Sequence, residues 1–521
     1  MPQTLAPFHL EHTTSPGTVT ARGGAALLLE AFYATGLHEA SRSIRRRPKR
    51  GYDDADHVMT VILLNLLGLA SCDDVEHLRD DKALGDLCGS MKAHHGSGSR
   101  MDSAFPSPPA LRKWLHEVGE SKASLRSVKE LIYGPLHYIQ ERKVQKIATL
   151  DMDATFIPTC RGGAPYNYKS ERSNEAFNVY WSEQDMILNS EYTTGNVSPR
   201  KDQLGLLRRS LQHLPRGVKQ VKLRADSAGY DRELIRYCNE GKSPYGVIGF
   251  CISVPMYSEF RRSLRKIPEG AWKRYDKDSW WAEVNIVPNR LCLSKKDKEV
   301  RYIAIRQEVK GLTEAKESDA RQMELEIEGL EADNPNLKKL HLMVLGGKVW
   351  KTFLIVTNNL AEPGDEVIRW HRGRCGKSEE IHAVLKRDLA GGHVPTGSFE
   401  ANAAWWYLSV LSFNLQRLVT HHVLPPGWSR YHQKHLLATI YTAPARIVRH
   451  AGQVILRIAG SIGRMLEDSH WELLRLHHMR FFRGGKPIPA GYFWPYGIPG
   501  MLERPFRCLE GGICAFTRSR P

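Results

Sequence analysis

Acidic residues at the ends of two apolar stretches are the part of this sequence best suited to chemistry. Residues 146–155 read KIATLDMDAT and contain Asp151 and Asp153. Residues 218–227 read VKQVKLRADS and contain Asp226. Side chains in a strand alternate between its two faces, so Asp151 and Asp153 share a face. Each stretch therefore predicts a buried strand that ends on an acid.

Two functions fit carboxylates at the ends of strands. The acids could cap the strand ends by accepting hydrogen bonds from loop amides. They could also hold divalent metal ions for phosphoryl transfer, which needs a few carboxylates on rigid elements. The second acidic strand favours the metal site, as does a helical segment at residues 365–389 that contains Glu379 and Glu380. Ligands of α/β sheets bind at the carboxyl ends of the strands.

The elements that must position these acids follow from the pattern of apolar residues. Further strands are predicted at residues 178–181, 186–192, 245–252 and 349–357, and a basic helix is predicted at 204–214. This order favours a mixed α/β sheet covered by helices. Residues 280–287 and 300–306 alternate in the way that is typical of hairpin strands.

The length of 521 residues exceeds what one hydrophobic core usually supports, so several domains are expected. The predicted division has four parts. They are an N-terminal helical DNA-binding region (1–130), a catalytic domain (140–265 and 349–425), a β-rich insertion (266–348) and a basic C-terminal region (426–521).

The charge balance predicts a polyanionic partner. Lys and Arg total 74 against 57 Asp and Glu, giving a net charge of +17 and a pI near 9.4. Nucleic acid is the commonest partner of so basic a chain. The run at residues 42–50 contains Arg45, Arg46 and Arg47 and either contacts phosphate or forms a solvated loop. Trp281 either stacks on a base or packs inside the predicted hairpin.

Three motifs together resemble the DDE transposases of bacterial insertion sequences. They are Asp151-x-Asp153-Ala-Thr, Leu223-Arg-Ala-Asp226-Ser and Glu379-x6-Lys386. The likeness covers most of residues 15–420 and is specific to the group with a β-rich insertion between the second Asp and the Glu. It implies an RNase H-like mixed sheet flanked by helices, with that insertion and an N-terminal helical domain.

The resemblance also implies a site. Asp153, Asp226 and Glu379 would be catalytic and would hold two Mg²⁺ or Mn²⁺ ions. Asp153 fits the family pattern better than Asp151, which stays a supporting candidate, because a small residue and Thr follow it. Glu379 is favoured over Glu380 because Glu379 lies seven residues before Lys386 and so shares its helix face.

Arg374 and Lys386 are the expected phosphate-binding residues near these acids. Related hairpin-forming transposases carry Tyr and Arg seven and four residues before the Glu. This chain has Arg372 and Cys375 there, with Arg374 out of register. The sequence therefore does not predict a hairpin intermediate.

The implied activity is excision and reinsertion of the protein's own element. The expected partners are the terminal inverted repeats of that element and target DNA, bound by a homodimer on paired ends. The expected location is the bacterial cytoplasm, in association with the nucleoid. Two alternatives remain open, a DDE-like nuclease without strand transfer and a DNA-binding protein that has lost catalysis.

Overall fold

A computed structural model describes residues 19–45, 51–94, 103–161, 163–286, 299–309, 341–345, 348–450 and 453–478. Helices dominate its N-terminal part, after a short strand. The elements of this part are, in order, β1 (Val19–Thr20), α1 (Ala25–Ala34), α2 (Leu37–Ser41), α3 (Asp54–Leu66), α4 (Val75–Arg79), α5 (Lys82–His94), α6 (Pro108–Glu120), α7 (Lys122–Glu130) and α8 (Tyr133–Gln140).

The start of α3 shows how the sequence sets these helices. Asp53 precedes the helix, and its side chain accepts a hydrogen bond from the backbone of Asp56. The Asp56 side chain in turn accepts one from the Asp53 amide at 3.0 Å. This capping box satisfies two amides that a helix start leaves without partners. Every residue of α3 is buried, as its nearly continuous apolar sequence requires.

A ten-stranded sheet forms the centre of the molecule, in the order β4-β3-β2-β5-β6-β11-β9-β8-β7, with β10 paired to β11. Strands β2, β5 and β6 are parallel, and all other neighbours are antiparallel. The strands are β2 (Ile147–Pro158), β3 (Ser173–Trp181), β4 (Met186–Thr194), β5 (Gln220–Ala225), β6 (Gly249–Ser253), β7 (Lys273–Arg274), β8 (Ser279–Val284), β9 (Arg301–Glu308), β10 (Leu342–Leu345) and β11 (Lys348–Thr357).

Helices cover this sheet, so the predicted mixed α/β sheet flanked by helices is confirmed. Between strands lie α9 (Gln203–Gln212), α10 (Arg232–Glu240) and α11 (Ser258–Arg265). The predicted hairpin strands β8 and β9 pair antiparallel and extend the same sheet beyond β11. The division into four regions stays a prediction, and residues 310–340 of the predicted insertion lie outside the described residues.

The helical segment predicted at residues 365–389 is interrupted. It consists of α12 (Gly364–Arg372), α13 (Lys377–Ala383) and a π-helix (Val384–Asp388). Gly376 lies between α12 and α13 with φ +77°, a conformation that glycine adopts without strain. The break changes which side chains of this segment face the sheet.

A buried helix, α14 (Phe399–His422), joins the sheet to the N-terminal helices. The side chain of Asn414 in α14 bonds both to the N-terminal helices and to strand β4. Its amide donates to the carbonyls of Ile132 and Ile187 at 3.1 and 2.8 Å, and its oxygen accepts from the Ile187 amide at 2.8 Å. On the α3 side, Asn65 donates to the Ser412 hydroxyl at 3.1 Å. The N-terminal helices therefore pack directly on the catalytic part of the chain.

The last described elements return to the N-terminal helices. They are α15 (Gln433–Leu436), β12 (Ala445–His450), β13 (Gln453–Ile458) and α16 (Gly460–His478). Strands β1, β12 and β13 form a three-stranded sheet, and Arg142 donates to the Leu476 carbonyl at 2.7 Å. Among the helices described, none is long and apolar enough to cross a membrane.

Candidate active site

Asp153 and Asp226 lie side by side on neighbouring parallel strands. The register of β2 and β5 places Met152 opposite Ala225, so the two acids follow at the next position. Asp226 directly follows β5, as predicted. The prediction that β2 ends at Asp153 is wrong, because β2 runs on to Pro158 against β3. The parallel partner of β2, strand β5, ends opposite Met152. The edge of β2 that β5 covers is therefore open from Asp153 onward.

The two carboxyls affect each other's ionisation. Burial raises the pKa of Asp153 above its ordinary value, and the charge of Arg374 offsets part of that rise. Burial also raises the pKa of Asp226, and the charge of Asp153 adds to that rise. One oxygen of Asp226 accepts a hydrogen bond from the Ala228 amide at 2.9 Å. Two carboxyls that repel each other in a partly buried site favour a cation between them.

Arg374 is the cation that this structure places beside them. One of its terminal nitrogens lies 3.5 Å from Oδ2 of Asp153 and 3.4 Å from the Met152 carbonyl, to which it donates. Arg374 belongs to the turn between α12 and α13, so helical spacing does not apply to it. Cys375, which occupies the position of the family's arginine, is exposed. The break in the helix thus brings the out-of-register arginine to the acids.

Glu379 and Glu380 have different surroundings. Burial raises the pKa of Asp153, and the charge of Glu379 adds to that rise, so Glu379 lies within electrostatic range of Asp153. Glu380 instead forms ion pairs with Lys377 at 3.6 Å and Arg417 at 3.9 Å. These contacts support Glu379 as the helix acid of the site.

Lys386 reaches the same strand further along. Its Nζ donates to the carbonyl of Phe156 at 3.3 Å, three residues beyond Asp153 in β2. Lys386 therefore contacts β2 from the π-helix that follows the helix carrying Glu379.

Asp151 is held by an ion pair with Arg224, the residue opposite it in the register. Two Arg224 nitrogens donate to the two Asp151 oxygens at 2.6 and 2.7 Å, and both side chains are buried. A third Arg224 nitrogen donates to the Trp370 carbonyl at 2.8 Å. Through the Trp370 contact the pair links α12 to the sheet. Because Arg224 engages both oxygens of Asp151, Asp151 is a supporting residue beside the acid pair.

A buried charge cluster around Asp185, in the turn between β3 and β4, was not predicted from the sequence. Asp185 lies 2.8 Å from His421, 3.2 Å from Lys377 and 3.3 Å from Arg417, and it accepts a hydrogen bond from Tyr180. Burial alone would raise the pKa of Asp185. The hydrogen bond from His421 and the charges of Arg417 and Lys377 outweigh burial and hold that pKa below its ordinary value. Through Lys377 the cluster fixes the start of α13, which carries Glu379.

The remaining predicted DNA-binding residues lie elsewhere. Arg45 forms ion pairs with Asp54 and Glu117 and is only partly exposed. Arg46 and Arg47 lie outside the described residues. Trp281 is 6% exposed within a hydrophobic cluster formed by Cys251, Ile303, Ile305, Ile355, Val367 and Ile368. The structure thus favours the hairpin-core interpretation of Trp281 over base stacking.

The residue types at the site fit a hard divalent ion. Carboxylate oxygens are the ligands that Mg²⁺ prefers, and Mg²⁺ commonly binds through one or two of them plus water and phosphate. Asp153 and Asp226 provide such a pair, with Glu379 within electrostatic range of Asp153. In the part of the chain that the structure describes, no three His, Cys, Asp or Glu side chains are close enough together to hold a metal. Closing around an ion would therefore require Glu379 to move toward the pair.

Comparison with known proteins identifies the family. No curated protein matches the sequence. One matching solved structure is a cryo-EM structure of the piggyBac transposase synaptic complex with hairpin DNA, at 11% identity and a TM-score of 0.38, covering 80% of this chain and 78% of that one. The family model described as "Transposase DDE domain group 1" matches residues 7–320, which include Asp153 and Asp226 and end before Glu379. Since that match spans more than half of the chain, the protein belongs to the DDE transposase family.

Proposed function

We propose that this transposase cuts DNA at the ends of its own insertion sequence and joins those ends to target DNA by two-metal phosphoryl transfer. The observation that carries the proposal is that Asp153 and Asp226 lie next to each other where the parallel pairing of β2 and β5 ends, with Glu379 close enough for its charge to act on Asp153. Carboxylates in this arrangement are suited to hold two Mg²⁺ or Mn²⁺ ions.

Each residue has a separate task in this proposal. Asp153, Asp226 and Glu379 bind the ions, which when bound activate the attacking oxygen and stabilise the leaving oxygen at phosphorus. Arg374 neutralises the acid pair and, with Lys386, binds phosphate oxygens of the DNA strand. The buried pair of Asp151 and Arg224 keeps β2 and β5 in register behind the site.

The DNA partners follow from the same proposal. We assign recognition of the terminal inverted repeats to residues 1–130, including the basic run, and pairing of two ends in a homodimer to the basic residues 426–521. The described contacts add a constraint on testing these assignments. Because β1 pairs with β12, removal of the C-terminal region would also expose an N-terminal strand. Substitution of surface arginines is therefore preferable to truncation.

A strand-transfer assay tests the proposed reaction. Full-length protein is incubated with linear DNA carrying the two element ends, a target plasmid and Mg²⁺ or Mn²⁺. Cut ends and plasmids joined to those ends are then separated on a gel. The proposal requires both products, and both must disappear with EDTA or with Asp153→Asn.

The alternatives give different outcomes. Cleavage without joined plasmids would indicate a nuclease that lacks strand transfer. Specific binding of the ends without cleavage in either metal would indicate a DNA-binding protein without catalysis. Reaction of one end only would contradict the assignment of a paired-end homodimer.

A further inference from the structure

Two tyrosines protrude from the loop that joins β2 to β3. Tyr168 is 73% exposed, the largest exposed fraction of any large hydrophobic side chain among the described residues, and Tyr166 is 57% exposed. Burial of an aromatic ring is favourable by a few kcal/mol, about 25 cal/mol per Å². A loop that keeps two such rings in solvent is therefore a candidate binding surface.

Hydrogen bonds from a buried asparagine hold this loop in shape. Asn167 accepts from the amides of Lys169 and Glu171 at 2.8 and 3.1 Å, and its own amide donates to the Ser173 hydroxyl at 3.0 Å. These bonds fix the turn from which Tyr168 and Lys169 project. The tyrosine is thus presented by an ordered scaffold, which lowers the entropy cost of binding a ligand on it.

The exposed ring belongs to a small aromatic and cationic group. The ring of Tyr168 meets that of Phe156 edge to face, with 5.2 Å between centroids. Nζ of Lys169 lies 5.6 Å from the Phe156 ring and 5.9 Å from the Tyr168 ring. The guanidinium of Arg172 lies 4.6 Å from the ring of Tyr166. Aromatic faces next to cations are the features with which proteins bind unpaired nucleotides.

Positive charge continues from this group toward the acids. Nζ of Lys386 donates to the Phe156 carbonyl at 3.3 Å and Nζ of Lys169 lies 5.6 Å from the Phe156 ring, so both lysines lie at Phe156, with Arg387 next in sequence. Burial lowers the pKa of Lys386, and the charges of Lys169 and Arg387 lower it further. Among the described residues, no carboxylate forms an ion pair with any of the three. Three clustered cations without a carboxylate favour a phosphate ligand.

The cluster lies at the same end of the sheet as the candidate active site. Phe156 follows Asp153 by three residues in β2, roughly 10 Å at the rise of a strand. Its side chain is on the opposite face of the strand from Asp153. Lys386 follows Glu379 in the helical segment and donates to the backbone carbonyl of Phe156. A DNA strand that leaves the acids can therefore meet Lys386 first and the Tyr168 ring next.

We infer that Tyr168, with Phe156 and Lys169, is a stacking platform for one unpaired nucleotide of the DNA strand, and that Lys386 and Arg387 bind the adjoining phosphate. This inference rests on the proposed function in taking DNA as the ligand, but it assigns a subsite that the chemistry at the acids does not require. The sequence RGGAPYNY at residues 161–168 predicts only a Gly/Pro loop there.

The test measures binding without cleavage, so it does not depend on the proposed two-metal reaction. Full-length protein carrying Asp153→Asn is titrated, in EDTA, into a fluorescent oligo-dT of about 15 nucleotides, a length within the usual range of single-strand sites. A duplex of equal length is titrated in parallel. Anisotropy gives both dissociation constants for Tyr168→Ala, Tyr168→Phe and the matched control Tyr431→Ala, an exposed tyrosine elsewhere on the surface.

The platform predicts a selective loss. Tyr168→Ala should weaken single-strand binding about fivefold or more, since stacking on one aromatic ring is worth about 1–3 kcal/mol. Binding of the duplex should change less than about twofold. Tyr168→Phe and Tyr431→Ala should bind single strands like the parent. A crosslink from 5-iodouracil to Tyr168, identified by mass spectrometry, would support the same contact.

Two results would overturn the inference. One is unchanged single-strand affinity in Tyr168→Ala. The other is an equal loss for single strands and duplex, which would mean that the tyrosine acts through phosphate contacts or general stability. Thermal unfolding of each variant shows whether the fold is intact. Should the alanine variant unfold, the 5-iodouracil crosslink decides, because crosslinks to other residues with none to Tyr168 would contradict the platform.

Discussion

The guanidinium of Arg374 lies 3.5 Å from Oδ2 of Asp153, at the point where two carboxyls on neighbouring strands repel each other. Ten per cent of the Arg374 side chain is exposed, against 24% for Asp153. An arginine here supplies the positive charge that the acid pair needs before metal ions bind. The same charge is available to a DNA phosphate once the ions neutralise the acids.

Replacement of Arg374 by Ala should destabilise the metal-free protein. Loss of one partner of a fully buried ion pair costs about 3–5 kcal/mol, and the partial exposure of Asp153 reduces this to about 1–2 kcal/mol. Chemical unfolding in EDTA measures the loss. The control is Arg372→Ala, which removes a more exposed arginine 3.7 Å from Asp276 and should change stability by less than about 0.5 kcal/mol. Equal losses in the two variants would show that Arg374 has no special role.

Substitution of the three acids should abolish cleavage and leave DNA binding intact. Asp153→Asn, Asp226→Asn and Glu379→Gln remove metal ligands and no contact to the duplex. The control is Glu380→Gln, since Glu380 is occupied by Lys377 and Arg417, and it should still cut. Gel assays of cleavage and of binding distinguish the two effects. If Glu379→Gln still cuts DNA and Glu380→Gln does not, the helix acid is Glu380 and the assignment is wrong.

Divalent ions should raise the unfolding temperature of the wild-type protein. An ion at 100 times its dissociation constant stabilises the folded state by about 2.7 kcal/mol. The rise seen by calorimetry with Mn²⁺ should be much smaller in Asp153→Asn, and chelation should remove it. A variant that gains as much stability as the wild type would show that the ion binds elsewhere.

Substitution of Asp185 by Asn should destabilise the protein at neutral pH and reduce cleavage together. The pKa of Asp185 is lower in the folded than in the unfolded protein. Its ionised form therefore stabilises the fold at pH values above the unfolded-state pKa. This stabilisation is lost as the pH falls through the folded-state pKa. The expected loss is about 3 kcal/mol at pH 7, because Lys377 and Arg417 lose their anion. The difference between the variant and wild type should shrink toward about pH 3. A constant difference across this range would argue against the ion pairs as its cause.

Glu175 provides a pH dependence of opposite sign. Its side chain is 1% exposed, and neither carboxyl oxygen has a hydrogen-bond partner, so burial raises its pKa to about 7. Ionisation therefore costs stability, and the cost grows as the pH rises from the unfolded pKa to the folded one. Glu175→Gln should match the wild type near about pH 5 and be more stable by up to about 3 kcal/mol near about pH 8. A variant less stable than the wild type at high pH would contradict this.

The sequence by itself predicted the candidate acids and the elements that carry them. Alternation of apolar residues predicts β2, β5 and the hairpin of β8 and β9, because side-chain periodicity is a local property of a strand. Helical spacing separates Glu379 from Glu380, because residues seven apart share a face. The basic composition predicts a polyanionic partner, since charge does not depend on the fold.

The tertiary structure decided which charges meet. Arg374 reaches Asp153 because the chain breaks at Gly376, and regular helix spacing would have placed Cys375 there instead. Asp185 meets partners on α13 and α14 that are distant in sequence. Trp281 lies in the core, whereas Tyr168 is exposed next to Lys169. Each outcome depends on how separate elements pack, and no local pattern of residues carries that information.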